Sequence, residues 1–240
     1  MNIIHHRFDT IDSTRLWVKE HSNELDADAL TVVSALEQTT GQGKFGRGWV
    51  SPHGANILTT LALFTNPAPN LILVWAMAVI EVLEKLNLNP CFKWPNDIQI
   101  NGKKLGGTLC EITSIKGKNL IALSLGLNVN IDQSQAATID QPATSLFIET
   151  GKNLEIKPLL DEIIEAFLPK LSLFEKSGFT PFAKRFEKFI SFKKGQKVRF
   201  DNYQQVLEGL FHSVGSDGSI KLELLPDHKI HTFFAGEFLD

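Results

Sequence analysis

Apolar positions along the chain follow two periods, and each change of period marks where an element begins or ends. Residues 29–36 (Ala-Leu-Thr-Val-Val-Ser-Ala-Leu) and 56–64 (Asn-Ile-Leu-Thr-Thr-Leu-Ala-Leu-Phe) are nearly continuous apolar runs, the pattern of buried strands. Ahead of them, Asp12-Ser13 can cap a short helix through Leu16, Trp17 and His21. Pro67 and Pro69 then break the chain. Asn70 can cap a helix to about Asn87, with Leu71, Val74, Trp75, Ala78, Val82 and Leu86 on one face at i, i+3, i+4 spacing. Strands over 91–94, 97–100 and 105–112 follow, joined by the Pro95-Asn96 turn and by Asn101-Gly102, a strong hairpin signal. Residues 119–129 read as one more strand, and the polar stretch 131–145 as a loop. From Lys157, Leu160, Ile163, Ile164, Phe167, Leu171 and Phe174 line a helix face, with a kink predicted at Pro169. Thr180-Pro181 starts another helix, with a capping residue and proline in first position.

After Lys193-Lys194-Gly195 the period shortens to two. Val198 and Phe200 alternate with charged residues, Gly215-Ser216-Asp217-Gly218 is a turn, and Ile220, Leu222 and Leu224 alternate with Lys221 and Glu223. This predicts short antiparallel strands closing a small barrel, and divides the chain into an α+β unit over 1–190 and a β unit over 191–240.

Composition changes this picture little. With 43% hydrophobic and 21% charged residues the 240-residue chain is ordinary for a globular protein, and its net charge of −3 supplies no bulk attraction to nucleic acid. The N-terminus lacks the basic-then-apolar layout of a secretory signal. The longest apolar run, Leu71 to Ile80, is interrupted by Glu81 and is too short for a bilayer. The expectation is a cytoplasmic protein with no membrane contact, and with Cys91 and Cys110 as reduced thiols.

Candidate chemistry concentrates in two segments. Gly41-Gln42-Gly43-Lys44-Phe45-Gly46-Arg47-Gly48-Trp49 is a cationic loop whose glycines let backbone N–H groups approach an anion, with Trp49 offering a flat apolar face. Without a ligand it reads equally as a hairpin end with Trp49 in the core. It ends in no Gly-Lys-Ser/Thr and opens no helix, so it is neither a Walker loop nor a dinucleotide fingerprint. Lys93, in Lys93-Trp94-Pro95-Asn96-Asp97, ends an apolar strand at a tight turn. An ammonium held there could lower the repulsion when a carboxylate attacks a phosphate, or it could be a solvated lysine beside a turn. Gly106-Gly107 inside a strand marks close approach of a ligand or of another backbone, or a bulge. Asn128 and Asn130 at alternate positions could bind an adenine edge or cap a strand end, and Glu111 could orient a neighbour. The scattered histidines show no ligand spacing for a structural metal.

In their order these segments resemble the biotin protein ligase family. Its pattern Gly-Arg-Gly-Arg-x-Gly-Arg-x-Trp-x-Ser-Pro-x-Gly-x-Asn is similar to residues 41–56, Lys-Trp-Pro-Asn-Asp is met at 93–97, Lys-x-Gly-Gly-x-Leu-x-Glu at 104–111 and Gly-x-Asn-x-Asn at 126–130. The resemblance implies a mixed, mostly antiparallel sheet with helices, of the class II aminoacyl-tRNA synthetase and biotin ligase kind, followed by an SH3-like barrel. It implies a two-step reaction. Biotin and MgATP give biotinyl-5′-adenylate and pyrophosphate, with Mg2+ held through the ATP phosphates. The biotinyl group then passes to a lysine of the biotin carboxyl carrier domain of a biotin-dependent carboxylase. By position, Lys93 would be catalytic, bridging the biotin carboxylate and the α-phosphate. Ser13, Thr14 and Gln38 would bind the biotin head group, beside the Gly106 and Gly107 backbone, while Gly41, Gln42 and Lys44 cover the biotinyl-adenylate. Arg47, Trp49, Asn56, Asn96, Asn128 and Asn130 would serve the nucleotide, Trp49 packing on adenine, and the loop 131–145 would close over ATP.

Three positions depart from the family pattern: Arg15 stands for the Asn usual after Ser-Thr, and Gln42 and Lys44 stand where arginines are frequent. The Ser13-Thr14 segment starts too near residue 1 to leave room for a helix-turn-helix domain, which argues against a DNA-binding role. A homodimer through a sheet edge is permitted by the apolar strands without being demanded. Two other readings remain. A lipoate or octanoyl ligase or transferase is opposed by the 93–97 run and the C-terminal barrel; a non-catalytic biotin or nucleotide module is opposed by an intact Lys93.

Overall fold

A computed structural model describes residues 1–239. The strands and helices run in chain order as β1 (Asn2–Ile11), α1 (Thr14–Glu20), β2 (Ala29–Gln38), β3 (Asn56–Phe64), α2 (Leu71–Lys85), β4 (Cys91–Lys93), β5 (Asp97–Ile100), β6 (Lys103–Ile115), β7 (Lys118–Asn128), α3 (Gln133–Ala136), α4 (Leu146–Thr150), α5 (Ile156–Ser177), α6 (Thr180–Glu187), β8 (Lys197–Asp201), β9 (Val206–Val214), β10 (Ile220–Leu224), β11 (Lys229–Phe233) and β12 (Glu237–Leu239). A seven-stranded sheet has the order β1-β2-β3-β7-β6-β5-β4, parallel between β1 and β2 and antiparallel elsewhere. A second, five-stranded antiparallel sheet has the order β11-β10-β9-β8-β12, as expected for an SH3-like unit. The α+β reading therefore holds.

Alternation decides what the large sheet does. Leu123, Leu125 and Leu127 of β7 and Ile57, Leu61 and Leu63 of β3 belong to the main core with α2 and α5. The intervening Ser124 and Gly126 turn to the opposite face, where they line a cavity. α1 covers that opposite face over β2, β3 and β7.

Three local readings change, and the helix expected through Pro169 is found. β1 was not visible in the sequence: its alternation is weak because, as an edge strand, it leaves many of its side chains exposed. α2 was read as one-faced, yet twelve of its fifteen residues are buried, because α5 packs over it and Trp75 meets the Phe167 ring edge-on at 5.1 Å. α5 continues through Pro169 as one element. The carbonyl of Glu165, which loses its N–H partner to the proline, belongs to a solvent-exposed residue where water can replace it. The stretch 131–145 carries α3, closed by a capping box between Asp132 and Gln135.

Of the three expected helix caps Ser13 holds, but Asn70 and Thr180 do not cap. Asn70 Nδ2 donates to the Asp217 carbonyl at 3.0 Å and Thr180 Oγ1 to the Ser216 carbonyl at 3.3 Å, so both hold the β9–β10 turn. Gly218 at φ +83° sits so close that a Cβ would lie 2.5 Å from Leu73 Cδ1. One hydrophobic core runs through both sheets, including Phe92 and Trp94 with Phe200 and Phe238. This docking brings β12 to the cavity, where Glu237, Phe238 and Leu239 line it. No helix among the described residues is long and apolar enough to cross a membrane.

Candidate active site

The cavity of about 290 Å³ has a floor of neutral hydrogen-bonding groups. Ser13 caps α1, its hydroxyl accepting from Leu16 N–H. Thr14 donates to Gln38 Oε1 through its N–H at 2.7 Å and its hydroxyl lies 3.0 Å away. That hydroxyl also meets Thr60 Oγ1 at 2.9 Å, and Thr60 meets Ser124 Oγ at 2.9 Å. The relay ties α1, β2, β3 and β7 together and fixes the Gln38 amide in one orientation. Buried polar groups satisfied this way suit an uncharged polar head group. One ionised pair sits beside them: Arg15 Nη1 donates to Glu111 Oε1 at 2.7 Å, leaving Arg15 Nε buried without a partner.

Trp49 is the seam between floor and roof. The glycine-rich segment folds back on itself, with Trp49 N–H donating to the Gly41 carbonyl at 2.9 Å and Gly43 N–H to the Arg47 carbonyl at 2.8 Å. The indole lies against β7 so closely that a Cβ at Gly126 would be 2.6 Å from Trp49 Cε2. A Cβ at Gly107 would be 3.5 Å from Trp49 Cζ3, and one at Gly106 would be 2.8 Å from the Gly126 carbonyl oxygen. Gly106 therefore serves the close approach of two strands and does not line the cavity. Trp49 Nε1 has no partner.

Cations stand at the wall. Lys104 Nζ is 2.9 Å from Asp97 Oδ1 and 5.8 Å from the centre of the Trp49 ring. It borders both this cavity and an adjoining space of about 640 Å³ formed with Gly41, Asn128 and residues 138–141 and 143. Lys93, paired in register with Asp97, borders the cavity too, but on the side of an outer cleft with Gln99, Lys197 and Arg199. Asn96 lines the cavity and donates to Asp97 at 3.2 Å. The roof is closed by residues of the second sheet. Lys44 donates to the Tyr203 hydroxyl and lies 4.0 Å from Glu237, which also stands 4.0 Å from Arg47. Burial holds the Lys44 ammonium below its usual pKa, with Glu237 opposing.

Of the residues expected at the site, Ser13, Thr14, Gln38, Gln42, Lys44, Arg47, Trp49, Lys93, Asn96 and Gly107 line the cavity. Gly41 and Asn128 line the adjoining space, where Asn128 donates to the Thr144 carbonyl and keeps Oδ1 buried and unpartnered, an acceptor for a ligand N–H. Asn56 and Asn130 stand apart from both. Asn56 donates to the Val50 carbonyl, while Asn130 uses both ends of its amide on the Leu154 backbone. Sequence reasoning assigned no role to Lys104, although it lies two residues before Gly106-Gly107, and had no local signal for Tyr203 or Glu237. No group of three or more His, Cys, Asp or Glu among the described residues could hold a resident metal. A Mg2+ carried by ATP needs only one or two protein carboxylates, and Asp97 and Glu237 border the cavity.

A neutral hydrogen-bonding floor, a lysine-bearing wall and a second space under a glycine-rich roof define an acyl-activating ligase site. The chain belongs to the biotin/lipoate A/B protein ligase family, whose pattern it matches over residues 7–130. It is 30% identical over 233 residues to the bifunctional ligase/repressor BirA of Escherichia coli, covering 95% of this chain and 71% of that protein. It is 34% identical over 161 residues to the biotin--[acetyl-CoA-carboxylase] ligase of Paracoccus denitrificans, covering 62% of this chain and 66% of that protein. Its fold is similar to that of the Aquifex aeolicus biotin protein ligase in complex with biotin and ATP. The TM-score is 0.79 at 27% identity, over 99% of this chain and 97% of that one.

Proposed function

We propose that this chain is an ATP-dependent biotin protein ligase. The observation that carries the reading is Lys104, on the wall between a neutral pocket and a second space beneath the glycine-rich roof. Ser13, Thr14 and Gln38 suit the ureido ring of biotin, and the adjoining space suits the nucleotide, with Asn128 Oδ1 open to an adenine N–H. The biotin carboxylate oxygen attacks the α-phosphorus of ATP and pyrophosphate leaves. The two anions meet at the wall, where an ammonium stabilises the negative charge that accumulates in the transition state. The geometry favours Lys104 for that place, with Lys93 holding the phosphate side from the rim. On this reading Lys104 takes the bridging place that the family resemblance gave to Lys93. In the second step a carrier lysine amine attacks the biotinyl carbonyl and AMP leaves.

The partner is a biotin carboxyl carrier domain. Incubating the protein with biotin, MgATP and such a domain is expected to release pyrophosphate and to add one biotinyl group to a single carrier lysine, read by mass spectrometry. Labelling with lipoate instead of biotin would overturn the substrate, and binding without pyrophosphate release would overturn catalysis.

A further inference from the structure

The roof is fastened to the second sheet by an aromatic contact. Tyr203 stands at the tip of the β8–β9 turn and is the only tyrosine in the chain. Its hydroxyl donates to the Gly236 carbonyl at 2.8 Å and accepts from Lys44. Its ring meets Phe45 edge-on at 5.6 Å, and the Lys44 ammonium stands 4.9 Å from the centre of each ring. Both aromatic residues have left-handed backbones, Phe45 at φ 58° and Tyr203 at φ 68°. Bulky side chains enter that region only against steric resistance, so the surroundings must impose it. At Tyr203 they visibly do. Its own N–H donates to Asp201 Oδ1 at 2.7 Å, and Asn202 Oδ1 accepts from the N–H groups of Gln204 and Gln205.

We infer that Tyr203 is a positioning residue that latches the glycine-rich roof shut, and that it sets how long the enzyme keeps its acyl-adenylate. The inference rests on the proposed ligase reaction. In that arrangement Lys44 does not grip the intermediate; it is the roof's side of the latch. Phe45 is 65% exposed and takes no part in the core, so its contact with Tyr203 has little to do except hold the loop. A loop carrying four glycines has many open conformations, and a fastening at its tip removes them.

The test uses the full chain. Wild-type protein is loaded with labelled biotin and MgATP and freed of excess, and escape of the adenylate is timed against unlabelled biotin. Tyr203→Ala is expected to speed escape by tenfold or more. Tyr203→Phe, which keeps the ring and loses both hydroxyl bonds, should fall in between. Biotin binding without ATP should not change, which separates a latch from general damage. If Tyr203→Ala fails to fold, Phe45→Ala on the exposed side of the same contact gives the answer. Phe45→Ala together with Tyr203→Phe, which removes the ring contact and the hydroxyl bonds, should be faster than Tyr203→Phe alone and no faster than Tyr203→Ala. Escape at the wild-type rate from a folded Tyr203→Ala or Phe45→Ala protein overturns the latch. Failure of wild type to form any adenylate would instead overturn the proposed reaction.

Discussion

The floor and the roof of the cavity are built on opposite principles. The floor is sheet: Thr14, Gln38, Thr60 and Ser124 sit on or beside adjacent strands, and each hydroxyl has a buried partner. The roof is a loop with little buried surface of its own, held by one aromatic contact, the hydrogen bond from Lys44 to Tyr203 and ion pairs at 4.0 Å. A satisfied buried network holds geometry to fractions of an ångström, whereas half-exposed ion pairs contribute at most about 1 kcal/mol. The difference assigns work. On the proposed reading the floor recognises the substrate, the wall places charge, and the roof controls escape.

The sharpest way to break this comparison is to remove charge from the wall beside the floor and from the roof. Lys104→Ala should slow adenylate formation by roughly 10²-fold or more, since an ammonium aimed at developing charge in a screened cavity is worth several kcal/mol. Lys44→Met should leave the rate of formation within a few-fold and act on escape. Pyrophosphate release in single-turnover experiments reads the first, and the chase described above reads the second. If Lys93→Ala matches Lys104→Ala, the wall works through both cations. If Lys104→Ala is near wild type while folded, the assignment to the wall fails.

Floor and roof also differed in how far the sequence disclosed them. The strands read at 29–36, 56–64 and 119–129 announce themselves as apolar runs because both faces are covered, one by the main core and the other in part by α1, while 97–100 alternates. Ser13, Thr14 and Gln38 were reachable through the family resemblance and stand together in the structure. The roof was half legible. Its glycines and cations were plain, but their partners Tyr203 and Glu237 lie more than 150 residues away, and no local pattern records a contact across that distance. Lys104 was overlooked for another reason. In the sequence it is one of two lysines before a double glycine, and only the fold shows that it borders two spaces at once. Asn130 shows the reverse, a motif residue whose amide joins the loop to Leu154.

A middle-sized effect is expected at the seam. Gly126→Ala would put a methyl carbon 2.6 Å from Trp49 Cε2, and the strand backbone beneath cannot yield, so the indole must move. Overpacking of this kind costs about 1–3 kcal/mol, and here the shift displaces roof from floor. KM for biotin and ATP should rise by roughly tenfold, and the unfolding temperature should fall by a few degrees. Adding Trp49→Ala should cancel the penalty of the alanine, so that the double variant behaves like Trp49→Ala alone. A double variant worse than either single change would mean that Gly126 is required by β7 itself and not by Trp49.

The smallest effect tests the one charged group on the floor. Arg15 stands where the family pattern has Asn, and its bond to Glu111 at 2.7 Å ties the first turn of α1 to β6. Ser13 and Thr14 occupy that same turn, so the pair holds two floor residues from behind. Glu111 is well exposed, and water competes for the bond; the pair is therefore worth about 1 kcal/mol or less. Arg15→Asn should raise KM for biotin by a few-fold, leave kcat near wild type, and show a weaker effect at high salt, where the ion pair is already screened. In a Glu111→Gln background the same change should have almost no further effect, because its partner is already neutral. A loss in kcat comparable to that of Lys104→Ala would give Arg15 a direct part in the reaction. The floor would then carry charge to the reacting atoms from two sides, and its neutrality would not be what selects the substrate.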